Sequence, residues 1–218
     1  MNDIWAYLRA HHVEIESWTV SSVYLASAPL VVGIVLALPA GWIAHRYRWT
    51  YPPVLGLAGV LYTVPSLVMF LALPGLLGTR ILDPVNVAVA LTVYTFALLV
   101  RTVADGLSSV SSDVLAAASA VGHGGRQLLL RVHLPLATPV IAAGVRVAAV
   151  SNISLTSVAS VIGTSQLGQL FIAGTSTESL TPIVLGLVLF LAMAGLLDLV
   201  ILGIARRLTP WHRAAMAA

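Results

Sequence analysis

The densest group of residues that could do chemistry in this chain lies in SSDVLAAASAVGHGGRQLLLRVHLP, residues 111–135. Arg126, Arg131, His123 and His133 bring positive charge and titratable rings, Gly122, Gly124 and Gly125 loosen the backbone, and Leu134-Pro135 closes the stretch. Nothing here has the spacing of a nucleophile with its base or of a metal-ligand set. Its chemistry is that of a surface that grips another protein, or of an ordinary connecting loop. Docking a soluble partner is the favoured reading, because a long and strongly structured connection in a compact bundle is usually functional.

Three other groups could act. Asn152, Thr156 and Ser160 recur every four residues and so share one helix face. Such a face serves either a polar pathway or hydrogen bonding between helices, and the two are compatible. Asp198 is a carboxylate inside an apolar run, and an ion pair with Arg206, about two turns on, is expected; Arg146 could pair with it or with a lipid phosphate. Tyr62, Tyr94 and Phe96 could hold a quaternary ammonium through cation–π attraction, although ordinary packing is the simpler expectation. Other chemistries find no residues. Cysteine is absent, His11-His12 lacks a third ligand, and no GxxxxGK[ST] phosphate loop or HExxH zinc motif occurs. The expectation is no catalytic residue, no metal and no cofactor on this chain.

The elements that must position these groups are membrane spans. Of 218 residues, 59% are hydrophobic and 9% charged, with mean hydropathy +0.98. A soluble domain holds about 25% charged residues, so this chain cannot cover a water-facing surface. An apolar core of ~30 Å needs about 20 residues of helix. Segments 21–44, 54–77, 85–104, 136–162 and 181–205 qualify, predicting an all-α polytopic bundle of about five transmembrane helices. Residues 20–208 are expected to form the transmembrane bundle and 209–218 a cytoplasmic tail. Residues 1–19 read as an amphipathic interfacial helix with Trp18 at headgroup level. Asp3, Glu14 and Glu16 argue against a cleavable signal peptide.

The basic residues, all arginine, orient the bundle. Arg46, Arg48, Arg101, Arg126, Arg131, Arg206, Arg207 and Arg213 fall on one side if the N-terminus is outside and the C-terminus cytoplasmic. Trp42, Tyr47, Trp49, Tyr51 and Trp211 suit an aromatic belt there. Net charge +3 is thereby explained by the positive cytoplasmic face, without nucleic acid. The 111–135 stretch itself stays out of the bilayer. Each arginine at a helix centre costs ~2.5–3.5 kcal/mol, and each leucine or valine returns only ~0.3–0.6.

Local signals shape that stretch into an elbow. Ser111, Ser112 and Asp113 supply N-cap chemistry for a helix to Val121, and Gly122 falls where a left-handed helix end is expected. A second helix, Arg126–His133, should stop before Pro135. Ala116, Ala117, Ala118 and Ala120 would let the first helix seat closely in a groove.

These residues resemble the cytoplasmic motif of ABC-transporter import permeases: Glu-Ala-Ala, three residues, Gly, nine residues, Ile-x-Leu-Pro. Ala116-Ala117-Ala118, Gly122 and Val132-His133-Leu134-Pro135 match it in register, with Ala116 in place of Glu and Val132 in place of Ile. LYTVPSL (61–67), SNISLTSVASVIGTSQLGQLF (151–171) and ARRLTPW (205–211) are similar to the osmoprotectant (glycine betaine/choline/carnitine) permeases; methionine-type permeases are the nearest alternative within the superfamily. The resemblance implies a bacterial inner-membrane permease with a type I importer fold. Ala116, Ala117, Ala118, Gly122, Val132, Leu134 and Pro135 would couple it to a cytoplasmic ATPase dimer holding ATP and Mg. It also implies a second permease copy or paralogue and an extracytoplasmic substrate-binding protein, for which 163–179 is the expected contact. Lost charge at position 116 bears on any salt-bridged docking. An alternative of another class is a secondary transporter working without an ATPase, which would need internal repeats and midplane carboxylates.

Overall fold

A computed structural model describes residues 2–211; of the expected tail, 212–218 lie outside the described residues. Every regular element among them is helical: α1 (Asn2–Ala10), α2 (His12–Arg46), α3 (Tyr51–Thr63), α4 (Ser66–Leu77), α5 (Pro84–Ser108), α6 (Ser112–Ala120), α7 (Gly125–Leu128), α8 (Leu134–Val158), α9 (Gln169–Ser176) and α10 (Leu180–Leu208). A π-helical turn at Leu129–His133 joins α7 to α8, and a 3₁₀ turn at Ala159–Ile162 ends α8. Four stretches are long and apolar enough to cross a membrane, or five when α3 and α4 are taken together as one bent span.

The interfacial segment is shorter than expected. Only Asn2–Ala10 stands apart, and residues 12–19 already belong to α2. His11 makes the joint, its ring stacked on Tyr7 at 4.2 Å. Ile4, Tyr7 and Leu8 pack with Trp18 against Leu185 and Phe190 of α10, so the apolar stripe of α1 is satisfied within the protein.

Pro29 and Pro39 sit inside the unbroken α2, whereas Pro65 splits the second span outright. Val64 (φ −63°, ψ 128°) and Pro65 are extended, and α3 and α4 meet at 102°. A residue before proline avoids the helical region, and proline offers no N–H to continue the ladder. A break at membrane depth leaves polar backbone that must find partners. Tyr94 supplies one, its hydroxyl donating to the Val64 carbonyl at 2.6 Å.

α5 is the centre of the bundle, with Val87, Ala90, Leu91, Thr95, Val100, Val103, Ala104 and Leu107 all buried. Lipid tails are as apolar as leucine, so burial against another helix brings little transfer energy; close backbone approach brings dispersion. Gly33, Ala37 and Gly41 of α2, four residues apart, form a buried small-residue stripe. A Cβ on Gly33 would lie 2.3 Å from Thr95 Cγ2, and one on Gly41 would lie 2.6 Å from Val103 Cβ. On the other flank of α5, a Cβ on Gly144 of α8 would lie 2.3 Å from Thr102 Cγ2. The period-four spacing of small residues was visible in the sequence and is the signal that pairs α2 with α5.

The ends of α2, α5 and α10 and the start of α8 gather at one end of the bundle: His45 meets His133, and Leu38 shares a groove with Leu134, Ala205 and Leu208. Arg46, Arg48, Arg126, Arg131, Arg206 and Arg207 therefore share that end, as their positions predict. At the other end, 163–179 is not an open loop. Thr164, Gln166, Leu167 and Gly168 are buried, with Leu167 N–H donating to Ser22 Oγ at 2.9 Å, and α9 follows. Its longest exposed run is the tip, Thr175 to Glu178.

Candidate functional site

The elbow forms as its residues dictate. Ser111 Oγ accepts from the Asp113 amide at 3.3 Å and opens α6. The helix ends through Gly122 at φ +90°, with Gly122 N–H bonded to Ser119 O and His123 N–H to Ala118 O. That pair of bonds is the Schellman closure, which needs a left-handed residue where glycine stands. No residue of α6 is buried. Ala116 and Ala117 face solvent beside Val114 and Val121, and Ala118 is half-buried.

The second arm departs from expectation. It does not stop before Pro135 but runs through the π turn into α8, giving continuous helix from Gly125 to Ile162. A widened turn accommodates the missing proline N–H and the ring's clash with the preceding turn, so the chain stays helical where an ordinary α-turn would break. The elbow is thus the lower end of the fourth span. Val132, Leu134 and Pro135 form its half-buried root, with Leu134 packed on Val103, Leu107 and Ala137.

Two histidines bolt that root to the bundle. His133, 8% exposed, donates from Nε2 to the Leu107 carbonyl at 2.7 Å. His45 stands edge-on to it at 5.0 Å. Ser108 Oγ donates to Ala104 O, so it accepts from His45 Nδ1–H at 3.0 Å. Beyond this joint a cleft of about 640 Å³, lined by Trp42, Arg46, Leu115, Arg126 and Leu129, separates the elbow from the end of α2. The motif residues therefore fall into two groups, an exposed α6 and a fixed root, with room between them and the bundle.

The polar stripe on α8 turns inward. Asn152, Thr156 and Ser160 are 1%, 0% and 5% exposed. Asn152 accepts from Thr95 Oγ1 at 3.1 Å and donates to Ala26 O at 3.3 Å, tying α8 to α5 and α2. Thr156 returns its hydroxyl to Asn152 O, and Ser160 to Ser157 O. In this conformation Asn152 binds three helices together, while Thr156 and Ser160 bond within their own helix.

The opening lies one face round. A cleft of about 370 Å³ at the break of the second span is lined by Tyr62, Val64, Ser66, Tyr94, Ser151 and Ser154, with Val150 and Leu155. Tyr62 and Tyr94, 32 positions apart, meet edge to face with centroids 6.1 Å apart. Sequence reasoning named both tyrosines without joining them, and singled out Asn152, Thr156 and Ser160, whereas Ser151 and Ser154 front this cleft. Ser151 and Ser154 are three residues apart and Asn152 and Thr156 four, both spacings that share a helix face, and periodicity alone ranks neither.

Asp198 pairs across helices. Its Oδ1 lies 2.6 Å from Arg146 Nε and its Oδ2 2.8 Å from Arg146 Nη2, a bidentate bond between α10 and α8. This corrects the expected Asp198–Arg206 partnership: eight residues along one helix span ~12 Å of rise, whereas Arg146 faces the carboxylate on the packed neighbour.

Comparison with known proteins agrees with this arrangement. Residues 30–213 match the family described as Binding-protein-dependent transport system inner membrane component. The osmoprotectant import permease protein OsmW of Salmonella typhimurium is 31% identical, over 89% of this chain and 91% of its own length. The glycine betaine/carnitine/choline transport system permease protein OpuCD of Bacillus subtilis is 32% identical, over 87% and 80%. Among solved structures, a chain of the inward-facing MetNI methionine ABC transporter superposes with TM-score 0.82 over 92% of this chain and 98% of that one. A chain of an amino acid ABC transporter superposes with TM-score 0.77 over 93% and 97%. Identities of 18% and 17% make these likenesses of fold. With its exposed elbow, its broken second span and a family match running from mid-span one to the tail, this chain belongs to the binding-protein-dependent transport system inner membrane components, the permease subunits of ABC importers.

Proposed function

We propose that this permease moves betaine-like quaternary amines into the cell, with its N-terminus outside and its elbow and C-terminus cytoplasmic. The substrate class is supported by the osmoprotectant, choline and carnitine permeases it resembles along most of its length. The orientation is supported by the arginines gathered at the elbow end. The partners are a cytoplasmic ATPase dimer that holds ATP and Mg, a second permease copy or paralogue, and an extracytoplasmic binding protein. The exposed 175–178 tip is the outer contact for that protein.

The observation that carries the reading is the exposed α6 at the foot of the helix that becomes α8. When the ATPase dimer closes on ATP, its groove displaces α6; the continuous helix from Gly125 carries the motion past the π turn into the span whose Ser151 and Ser154 front the cleft. Shifting a two-state bundle from 1:99 to 99:1 requires about 5.5 kcal/mol of differential binding, which this contact must transmit. Ala116 offers no charge, so docking rests on shape: close-set alanines and the apolar edge of Val114 and Val121.

The test is a substitution on α6, whose surface has no folding role. In proteoliposomes holding the whole transporter, Ala117→Arg should leave the permease assembled in the membrane and reduce ATP-driven uptake at least tenfold. Undiminished uptake with Ala117→Arg would refute the elbow as the coupling contact.

A further inference from the structure

The geometry points to the cleft at the break of the second span as a passing site for a zwitterionic quaternary amine, with Tyr62 as the surface on which the cationic head rests. This inference rests on the substrate class proposed above.

A trimethylated ammonium has no N–H. It is held by π faces and by oxygen dipoles, not by hydrogen bonds, and an aromatic ring within about 6 Å is the commonest protein answer. The cleft supplies such a surface. Tyr62 is 49% exposed, while Tyr94, 5% exposed, is fixed beneath it by its own bond to the Val64 carbonyl. Tyr94 therefore fixes the position of Tyr62 through the edge-to-face contact, and Tyr62 remains for a ligand. Val64, at the break of the span, lines the cleft beside them.

The opposite wall suits the other half of a zwitterion. Ser151 and Ser154 of α8 line it, with Ser66 at the hinge, and the hydroxyls of all three have no hydrogen-bond partner among the described residues. Thr156 and Ser160, on the buried face, turn theirs back onto their own helix. Hydroxyl donors of α8 facing two phenol rings, with a third at the hinge, match a carboxylate tethered to an ammonium. No carboxylate or basic side chain lines the cleft. A solute held by rings and hydroxyls alone is held weakly enough to leave, which passage requires. The site also joins the two elements that can move. One wall is the hinge between α3 and α4; the other is the span that continues from the elbow.

The experiment uses the whole transporter in proteoliposomes: this permease, its partner ATPase and its binding protein, with radiolabelled glycine betaine outside and ATP inside. Flux and ATP hydrolysis are read together. Tyr62→Leu should lower flux by about threefold to thirtyfold, the range of one lost cation–π contact, and leave stimulated hydrolysis within about twofold. Tyr62→Phe keeps the π face and should keep flux within about twofold. A variant that was merely misfolded would lose hydrolysis with flux; should Tyr62→Leu do so, Tyr62→Met carries the same expectation. Unchanged flux in the leucine or methionine variant would overturn the site while leaving the betaine reading intact. A wild-type transporter that carries another solute but no quaternary amine would overturn both.

Discussion

Substituting Gly33 by alanine tests the packing that organises the site. The added Cβ would sit 2.3 Å from Thr95 Cγ2 and 2.6 Å from Thr95 Cβ, inside the distance that carbon atoms tolerate. Thr95 cannot yield freely, because it is 1% exposed and its hydroxyl donates to Asn152 Oδ1. Either α2 and α5 separate or Thr95 leaves Asn152. Overpacking a close contact costs about 1–3 kcal/mol, and an inter-helix hydrogen bond in a membrane bundle adds about 0.6. For a chain of this length each kcal/mol moves the midpoint by roughly 2–4 °C, so the expected loss is roughly 3–14 °C. Thermal unfolding of the detergent-purified permease, followed by its helical signal, measures it. Gly56→Ala is the control: nothing lies within 4 Å of a Cβ there, and alanine in a helix should raise stability by up to about 1 kcal/mol. A Gly33→Ala midpoint within about 1 °C of wild type would refute the close α2–α5 approach and the Thr95–Asn152 knot with it.

Asn152→Ala should lower stability by about 1–3 kcal/mol, since it strands a buried hydroxyl, and should leave the uptake KM within twofold. A raised KM with an unchanged unfolding midpoint would return Asn152 to the pathway. Arg146→Gln and Asp198→Asn should each reduce the amount of permease assembled in the membrane, and the exchanged pair Arg146→Asp with Asp198→Arg should recover part of it; quantitative blotting of extracted membranes checks this, and no recovery would mean that the residues act separately.

Much of this protein is legible locally. Hydropathy marks the spans because a bilayer excludes charge whatever the neighbouring helices do. The α6 closure follows from Ser111 and Gly122, because capping and left-handed backbone are decided within a few residues. The small-residue composition of α6 is legible too, because it is written in the residues themselves. Other features are not local. Pro29, Pro39 and Pro65 look alike in an apolar run, yet only Pro65 breaks its helix, where Tyr94 waits to take up the freed carbonyl. Pro135 carries a stop signal that a π turn overrides.

Periodicity showed which residues share a face of α8, but not which face meets α2 and α5. That depended on Gly33 and Gly144 letting three helices approach until Asn152 reached Thr95 and Ala26. The partner of Asp198 was decided the same way, by the helix packed beside it and not by the charge nearest in sequence. What the sequence by itself determined was where the chain crosses, turns and carries charge, because those preferences are settled between each residue and its solvent. What only the tertiary structure decided was which polar groups face each other, because that depends on distances between helices that no single helix encodes.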